Sequence, residues 1–579
     1  MTLTKRFGAI SSAFVLILLI ASVYAPFMGS RLLRMAGDEK VYISQALEMA
    51  RHGNWFIQTL QDQPDYYKGP FHYIALRIGF MLFGRTPWAV LYMNLFLLMA
   101  GALALASIVR RRFSEWSGGG FWVGAAFAFG AGIYAHTWAS QMEVETAALF
   151  AIGLWLLDGV RAGEPGWLFW ITAGLIGWTK SPLHSALLGC SAVLFWTLTG
   201  EIWGRLKNPK AWLAVLLGVA VCTGGYAPAY LLDRANFWHA YVERELFSKG
   251  DTGQHWSVSI VSTFGFYLFP WMLMAFVSYL HFIFWLPKLL TFSSTRRLVL
   301  LGIAGFVPSV IFFIWHPYHF ENYNLPVISA VWLVIGATWG SIAATRNRPS
   351  RSAAFWQLLY SLAFALTAIA ILLIPIALTV LDIHFSPMPE WWPAWLLPLV
   401  WLGCLVTALG FFYFGVHMRG RRPEWLAISS AGVLWALTAF FAVLGERETL
   451  DLRRYLAERA SRNQPTTLGY YNLNRNIWSE WGYLNFWVNH EVHGLHTPEA
   501  LRAAVLQGET ILVTSKEDSV TDFKNFMTKE FPGRPLHYIP WKRWRTQGRS
   551  PSGEPLWRAA WNQRDLSLLE TDYFIVETR

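Results

Sequence analysis

The sequence predicts an α-helical polytopic membrane protein of about thirteen spans, followed by a small α/β domain outside the bilayer. Three observations lead there. Apolar residues make up 54% of the 579 and charged residues only 14%, with 33 Trp and 41 Phe, too much apolar surface for a water-soluble fold to hide. These residues gather into runs of about 20, the length that crosses a hydrocarbon core. From about Glu446 the composition turns polar and stays so to the end of the chain.

The first run, near 8–28, follows Lys5 and Arg6 and has no small-x-small cleavage site, so it is expected to be a retained span rather than a signal peptide. Further spans are expected near 87–109, 119–138, 143–160, 166–180, 183–200, 211–232, 262–286, 298–315, 323–343, 354–381, 394–416 and 424–444. The 166–200 region also reads as a single re-entrant unit. The net charge of +11 comes in short Lys/Arg clusters between the runs, which makes it a topology signal rather than a nucleic-acid footprint. Alternate connections are basic: Arg110 to Arg112, Arg161, Arg205 with Lys207 and Lys210, Lys288 with Arg296 and Arg297, Arg346 with Arg348 and Arg351, and Arg419 with Arg421 and Arg422. A cytoplasmic N-terminus satisfies that order, and an odd number of spans then places the C-terminal region outside. Cys190, Cys222 and Cys404 all fall inside apolar runs, so no disulfide framework is implied.

Two domains follow, residues 1–445 in the membrane and 446–579 outside it. In the outer one, strands are expected at Thr467–Tyr471, Leu484–Val488, Ile511–Thr514, Leu536–Trp541, Leu556–Trp561 and Tyr573–Glu577, with helices at Glu448–Ser461, Pro498–Gln507 and Val520–Phe531. The chain carries no phosphate-binding loop and no dinucleotide glycine pattern, so ATP-driven transport is not supported.

The chemistry-bearing groups sit in the first outer loop, 29–86. Asp38 and Glu39 open a helical pattern whose apolar positions are Val41, Ile43, Leu47, Met49 and Ala50. An acidic pair can act as a base; an acid at a helix start also satisfies the helix dipole, and both readings stand. Lys68, in the turn Tyr66-Tyr67-Lys68-Gly69-Pro70, can hold an anion. Glu143 and Glu145 open the fourth span and Lys180 closes the fifth, all at the outer level, where charged groups in apolar runs need a partner or a use. Two residues apart on a helix, the two glutamates face nearly opposite ways, so at most one is expected to face a shared cavity. The stretch Phe237–Phe247 reads as an interfacial amphipathic helix before a polar loop, a lid with Arg244 and Lys249 for phosphate or an aromatic belt with ordinary basic residues. The connection His316–Pro326 brings His316, His319, Glu321 and Tyr323 to the same face, without the spacing of a zinc site.

In this order the features resemble the ArnT/PMT-type membrane glycosyltransferases of the GT-C class, closest in layout to the bacterial aminoarabinose transferases that modify lipid A. The matching marks are Asp38-Glu39 with Tyr42, Gly53-x-Trp55, the turn running from Tyr66 to Tyr73, the acid that starts the fourth span, Gly174 to Pro182 with Thr179 and Lys180, Pro270-Trp271, and Tyr323-x-Leu325-Pro326. The resemblance covers the whole chain. It implies an inverting transferase in the bacterial inner membrane, moving a sugar from a polyprenyl-phosphate donor to an outer-leaflet lipid, glycan or protein acceptor. Asp38 would be the base, Glu39 second, and Lys68 and Tyr323 would hold the donor phosphate, with Arg244 and Lys180 near it. Tyr42, Tyr67, Glu143, Glu145 and His319 would line the acceptor side. The sequence departs from the pattern where Tyr67 replaces a Glu, Gly69 a Pro, Val41 an Arg and His319 a basic residue. The loss of that Glu points away from a metal, and no cofactor is expected. The competing reading is a transporter or flippase, which calls for internal symmetry and midplane polar residues. Here the polar residues gather at one face and no half is repeated.

Overall fold

The computed structural model describes residues 3–28, 39–60, 63–66, 68–113, 118–161, 163–247, 261–291, 293–315, 321–344, 351–386, 388, 392–416, 423–462, 468–471, 492–495, 497–513, 517–544, 550 and 553–577. Among them, eight helices are long and apolar enough to cross a membrane: Pro87–Arg112, Pro182–Thr199, Met272–Thr291, Thr295–Phe312, Leu325–Ile342, Ala354–His384, Leu396–Gly415 and Trp425–Val443. Five shorter apolar helices fall at Ser11–Tyr24, Phe71–Phe83, Gly119–Phe129, Trp167–Thr179 and Pro209–Gly224. Met142–Gly159 is a further largely apolar helix, with Glu143, Glu145 and Asp158 near its ends. The molecule is a polytopic helical membrane protein with about thirteen spans.

The first nine helices, α1 to α9, are Leu3–Tyr24, Glu39–Arg51, Phe71–Phe83, Pro87–Arg112, Gly119–Phe129, Ala131–Trp138, Met142–Gly159, Trp167–Thr179 and Pro182–Thr199. The sequence reading had no helix at α3. This apolar segment starts directly after Pro70 and ends at Gly84, whose φ of +65° suits only glycine. The expected span 119–138 is two helices, α5 and α6, because Gly130 is extended between them. The 166–200 region is also two helices, α8 and α9. Lys180 ends α8, and Ser181 is extended as the residue before Pro182 must be.

The core is rich in aromatic rings. Trp122, Trp271 and Trp332 are fully enclosed, and Trp122 stacks on Trp339 with ring centroids 4.8 Å apart. The helix Leu325–Ala344 lies inside the bundle, whereas Arg351–His384 lies on its rim. On the rim helix an exposed apolar stripe begins at Phe355 and runs through Leu366, Ile369, Leu373, Ile376 and Val380 to Ile383, the face a lipid-exposed helix presents. At the inner ends of the helices Asp158 accepts from Arg112 and from Arg297 (3.4 Å), and Arg297 also reaches Glu201 at 3.0 Å. That network ties α4, α7 and the helix Ser293–Trp315 at the face assigned to the cytoplasm.

The last membrane helix does not stop at the bilayer. Pro423–Ser461 is one helix of 39 residues, and the expected helix at Glu448–Ser461 is its outer end. Beyond it lies a five-stranded sheet of β3 (Leu468–Tyr471), β4 (Val492–Leu495), β5 (Thr510–Val513), β6 (His537–Trp544) and β7 (Glu570–Glu577), in the order β4-β3-β5-β7-β6. β3 is parallel to β4 and β5, and β7 is antiparallel to β5 and β6. The helices Pro498–Leu506 and Glu517–Glu530 fall where the sequence pattern puts them. The expected strand at Leu556–Trp561 is instead the helix Leu556–Gln563, whose start after Pro555 and end at the left-handed Arg564 are helical signals. The expected strand at 484–488 lies outside the described residues.

Candidate functional site

The first outer loop folds against the outer ends of α7 and α8. α2 is enclosed nearly all round: Val41, Tyr42, Ile43 and Leu47 are buried, and so are the polar Glu39, Ser44, Gln45 and Glu48. A surface helix would show a wet face, so α2 is held inside a polar pocket. Glu39 opens it and is 2% exposed; Asp38 lies outside the described residues. A short hairpin of β1 (Thr59–Leu60) and β2 (Gln63–Pro64) follows, and Gln45 Nε2 donates to Asp65 Oδ2 at 2.6 Å, fastening the hairpin to α2.

Next comes the Lys68 turn. A Cβ on Gly69 would stand 2.1 Å from the Trp178 carbonyl oxygen, so the turn lies directly on the end of α8, two residues before Lys180. Only glycine permits that approach, which accounts for the departure from proline at this position. Trp178 is itself fixed, its indole N–H donating to the Val221 carbonyl and its ring packed over Gly225. Tyr226 adds a hydrogen bond from its hydroxyl to the Gly177 carbonyl at 2.6 Å.

A buried ion pair and a buried hydrogen-bonded pair lie at this level. Lys180 Nζ meets Glu143 Oε1 at 2.6 Å, with both side chains almost wholly enclosed, and the same ammonium sits 3.7 Å from the centre of the Tyr323 ring. His72 Nδ1 is 2.9 Å from Glu145 Oε1, both 1% exposed. Glu143 and Glu145 therefore do point to different partners, as their spacing requires, and both are buried. Tyr42 packs edge-on against His72 and Tyr73, with ring centroids 5.6 and 5.9 Å away, so α2, α3 and α7 meet through these four side chains. Among the described residues, the second oxygen of Glu145 and the Nε2 of His72 are buried without a hydrogen-bond partner. Polar atoms in that state are costly unless a ligand or water meets them.

The expected groups divide clearly. Tyr42 and Glu145 meet at His72, and Glu143, Lys180 and Tyr323 meet at the end of α8, on which the Lys68 turn lies. Tyr67 and His319 lie outside the described residues, as do Asp38, Lys249 and His316. Arg244 is in the helical stretch Trp238–Phe247, with its side chain beyond description. Tyr241 of that stretch and Phe237 just before it pack with Tyr66, whose ring is 5.7 Å from Phe237. Burial, and then the nearby Asp233 carboxylate, raise the Tyr66 hydroxyl above the usual tyrosine range. No group of three or more His, Cys, Asp or Glu side chains converges among the described residues. Glu143 and Glu145 are engaged by Lys180 and His72.

Three groups went unread in the sequence. His72 stood in the quoted turn without a role; a lone histidine in an otherwise apolar segment is its only signal. Arg77 lies 3.8 Å from the Trp55 ring centre and donates to the Asn54 carbonyl, so the Gly53-Asn54-Trp55 mark is a clasp onto α3. Gln45 and Asp65 are the third case, joined at 2.6 Å across 20 residues.

No family model and no curated protein sequence matches the chain. Among solved structures, the crystal structure of ArnT from Cupriavidus metallidurans bound to undecaprenyl phosphate is similar with a TM-score of 0.62 at 15% identity, covering 100% of this chain and 98% of that one. The chain has the ArnT fold. Apo ArnT from the same organism superposes with a TM-score of 0.59 at 17% identity over 97% of each chain. The likeness thus covers the chain from its first span through its C-terminal sheet. At this identity the likeness carries architecture, and residue roles rest on the geometry above.

Proposed function

We propose that the chain is an inverting glycosyltransferase that moves a sugar from a polyprenyl-phosphate donor to a lipid A-like glycolipid, glycan or protein at the outer face of a bacterial inner membrane. The observation that carries this reading is the corner where the Lys68 turn lies on α8 beside the Lys180, Glu143 and Tyr323 group, within the ArnT fold. The membrane part, 1–445, would do the chemistry and 446–579 would cover it.

In this mechanism the acceptor hydroxyl attacks the anomeric carbon from the side opposite the phosphate. The anomeric C–O bond to the phosphate breaks, and polyprenyl phosphate leaves with the electron pair. Asp38 takes the hydroxyl proton or orients the hydroxyl, with Glu39 second. The departing monophosphate gains charge, which a fixed ammonium in a low-dielectric corner stabilises. Lys68 supplies that charge, with Arg244 from the covering helix. Lys180 is neutralised by Glu143, so its role is to hold Tyr323 by a cation–π contact while the tyrosine hydroxyl meets the phosphate. Tyr42, Tyr67, Glu145 and His319 shape the acceptor side. No step calls for a metal.

The test is mass spectrometry of envelope lipids, glycans and glycoproteins from cells lacking the chain, complemented at equal expression with wild type or Asp38→Asn. A sugar-sized mass restored by the wild type alone is the expected result. Purified Asp38→Asn should transfer about 10²–10⁴-fold more slowly. Full restoration by Asp38→Asn removes that residue from the mechanism, and an unchanged envelope turns attention to the transporter reading.

A further inference from the structure

Outside the site, one surface stands apart from everything the transfer chemistry uses. The helix Leu556–Gln563 of the outer part turns Ala559 and Ala560 inward, fully buried, and presents Trp557 and Trp561, four residues apart, outward at 57% and 39% exposure. Arg558 and Arg564 flank them and are exposed, and the Arg558 guanidinium lies 5.3 Å from the Trp557 ring centre. Two large aromatic rings beside arginines form an unusual face to leave in water.

Where this face lies follows from Trp561. Its ring stacks flat on His384, with centroids 4.0 Å apart and planes 11° apart, and its carbonyl accepts from His384 Nε2 at 2.8 Å. His384 is the last residue of the rim helix, and the residue before it, Ile383, ends the lipid-facing stripe at 71% exposure. From Phe355 to Ile383 the stripe spans 28 residue steps, about 42 Å at ~1.5 Å each, which matches a bilayer counted with its headgroup layers. The end of the stripe is therefore at headgroup depth, and Trp561 is in contact with it. Tryptophan prefers this depth, its ring in the apolar boundary and its N–H toward water, and arginine pairs there with lipid phosphate.

We infer that Leu556–Gln563 is an interfacial helix that seats the outer part of the chain on the lipid headgroup layer, with Trp557 and Trp561 in the acyl boundary and Arg558 and Arg564 at phosphate level. The occupant of this face is the phospholipid surface itself, continuous with the lipid already covering the rim helix. The short amphipathic helix binds in the plane of the membrane, as such helices do.

The experiment uses the native full-length chain in nanodiscs of phosphatidylethanolamine and phosphatidylglycerol that carry a trace phospholipid with a diazirine near its headgroup. After irradiation, adducts are mapped by peptide mass spectrometry. Adducts on the 556–564 peptide, together with the internal reference at the Ile383 turn, are expected. Adducts at Ile383 without any on 556–564 overturn the proposal. A second measurement places an environment-sensitive dye at Trp557→Cys in a chain with Cys190, Cys222 and Cys404 changed to serine. Quenching by a lipid-borne nitroxide with a blue-shifted emission supports the seat. Quenching only by a water-soluble nitroxide overturns it, and so does protection from both, which would mean that protein covers the face.

Discussion

The buried Lys180–Glu143 ion pair sets the electrostatics of the corner, beside the hydrogen bond between His72 and Glu145, and it is not replaceable by changing one partner alone. Removing one member strands a charge in a dry pocket, at a cost of about 3–5 kcal/mol, whereas replacing both by apolar groups is often neutral. Lys180→Met should therefore destabilise the protein by roughly that amount, and Lys180→Met with Glu143→Leu should recover most of the loss. Thermal unfolding of the four proteins of this cycle, in one detergent, checks it; strictly additive losses would show that the pair is uncoupled. At this scale the sequence was half legible. The charged groups announced themselves because charges are rare in apolar runs, and the opposed directions of Glu143 and Glu145 follow from helical spacing. The pairing of His72 with Glu145 joins residues 73 apart, and no local pattern encodes such a contact.

Among the elements, the Lys68 turn is the most constrained. Gly69→Ala drives a methyl into the Trp178 carbonyl, which belongs to a helix end that cannot yield easily, so the turn must lift. The expected outcome is a folded protein whose transfer is slowed about 10²–10³-fold, the scale of losing one fixed charge-stabilising group. Assay of the purified variant with a polyprenyl-phosphate sugar measures this, and a wild-type rate would release Lys68 from its assigned position. Helices and strands were mostly readable from apolar spacing, as β3, β5, β6 and the helices Pro498–Leu506 and Glu517–Glu530 illustrate. The helix at Leu556–Gln563 was misread because Leu and two Trp suggest a strand, while the four-residue interval between the tryptophans and the buried alanines belong to a helix. The helix α3 escaped notice because Pro70 and Gly84, which bound it, also read as the turns of an outer loop.

For the whole molecule, membrane physics made the sequence most informative. Each backbone polar group in hydrocarbon must be paired within its own segment, so spans are helices and can be counted from the chain. The Lys/Arg clusters then orient them. Reporter fusions should read cytoplasmic after residue 347 and after residue 420, and external at the C-terminus; the reverse at either position would invert the site's side of the membrane. What the sequence hid is how the spans pack, because lipid and neighbouring helices are equally apolar to any one residue.

The long final helix has a consequence of a mechanical kind. Its 39 residues make about 58 Å of unbroken rod, longer than the bilayer with its headgroups, and beyond the membrane Tyr455 on that rod bonds Glu577 Oε1 of β7 at 2.6 Å. The outer sheet is therefore keyed to an axle anchored in the membrane rather than tethered by a swivel. Inserting a single alanine after Glu446 would turn everything beyond it by about 100°. The sheet would stay folded yet face a new direction, swinging Trp561 away from His384. The angular setting of this axle decides which side of the outer part looks down on the membrane.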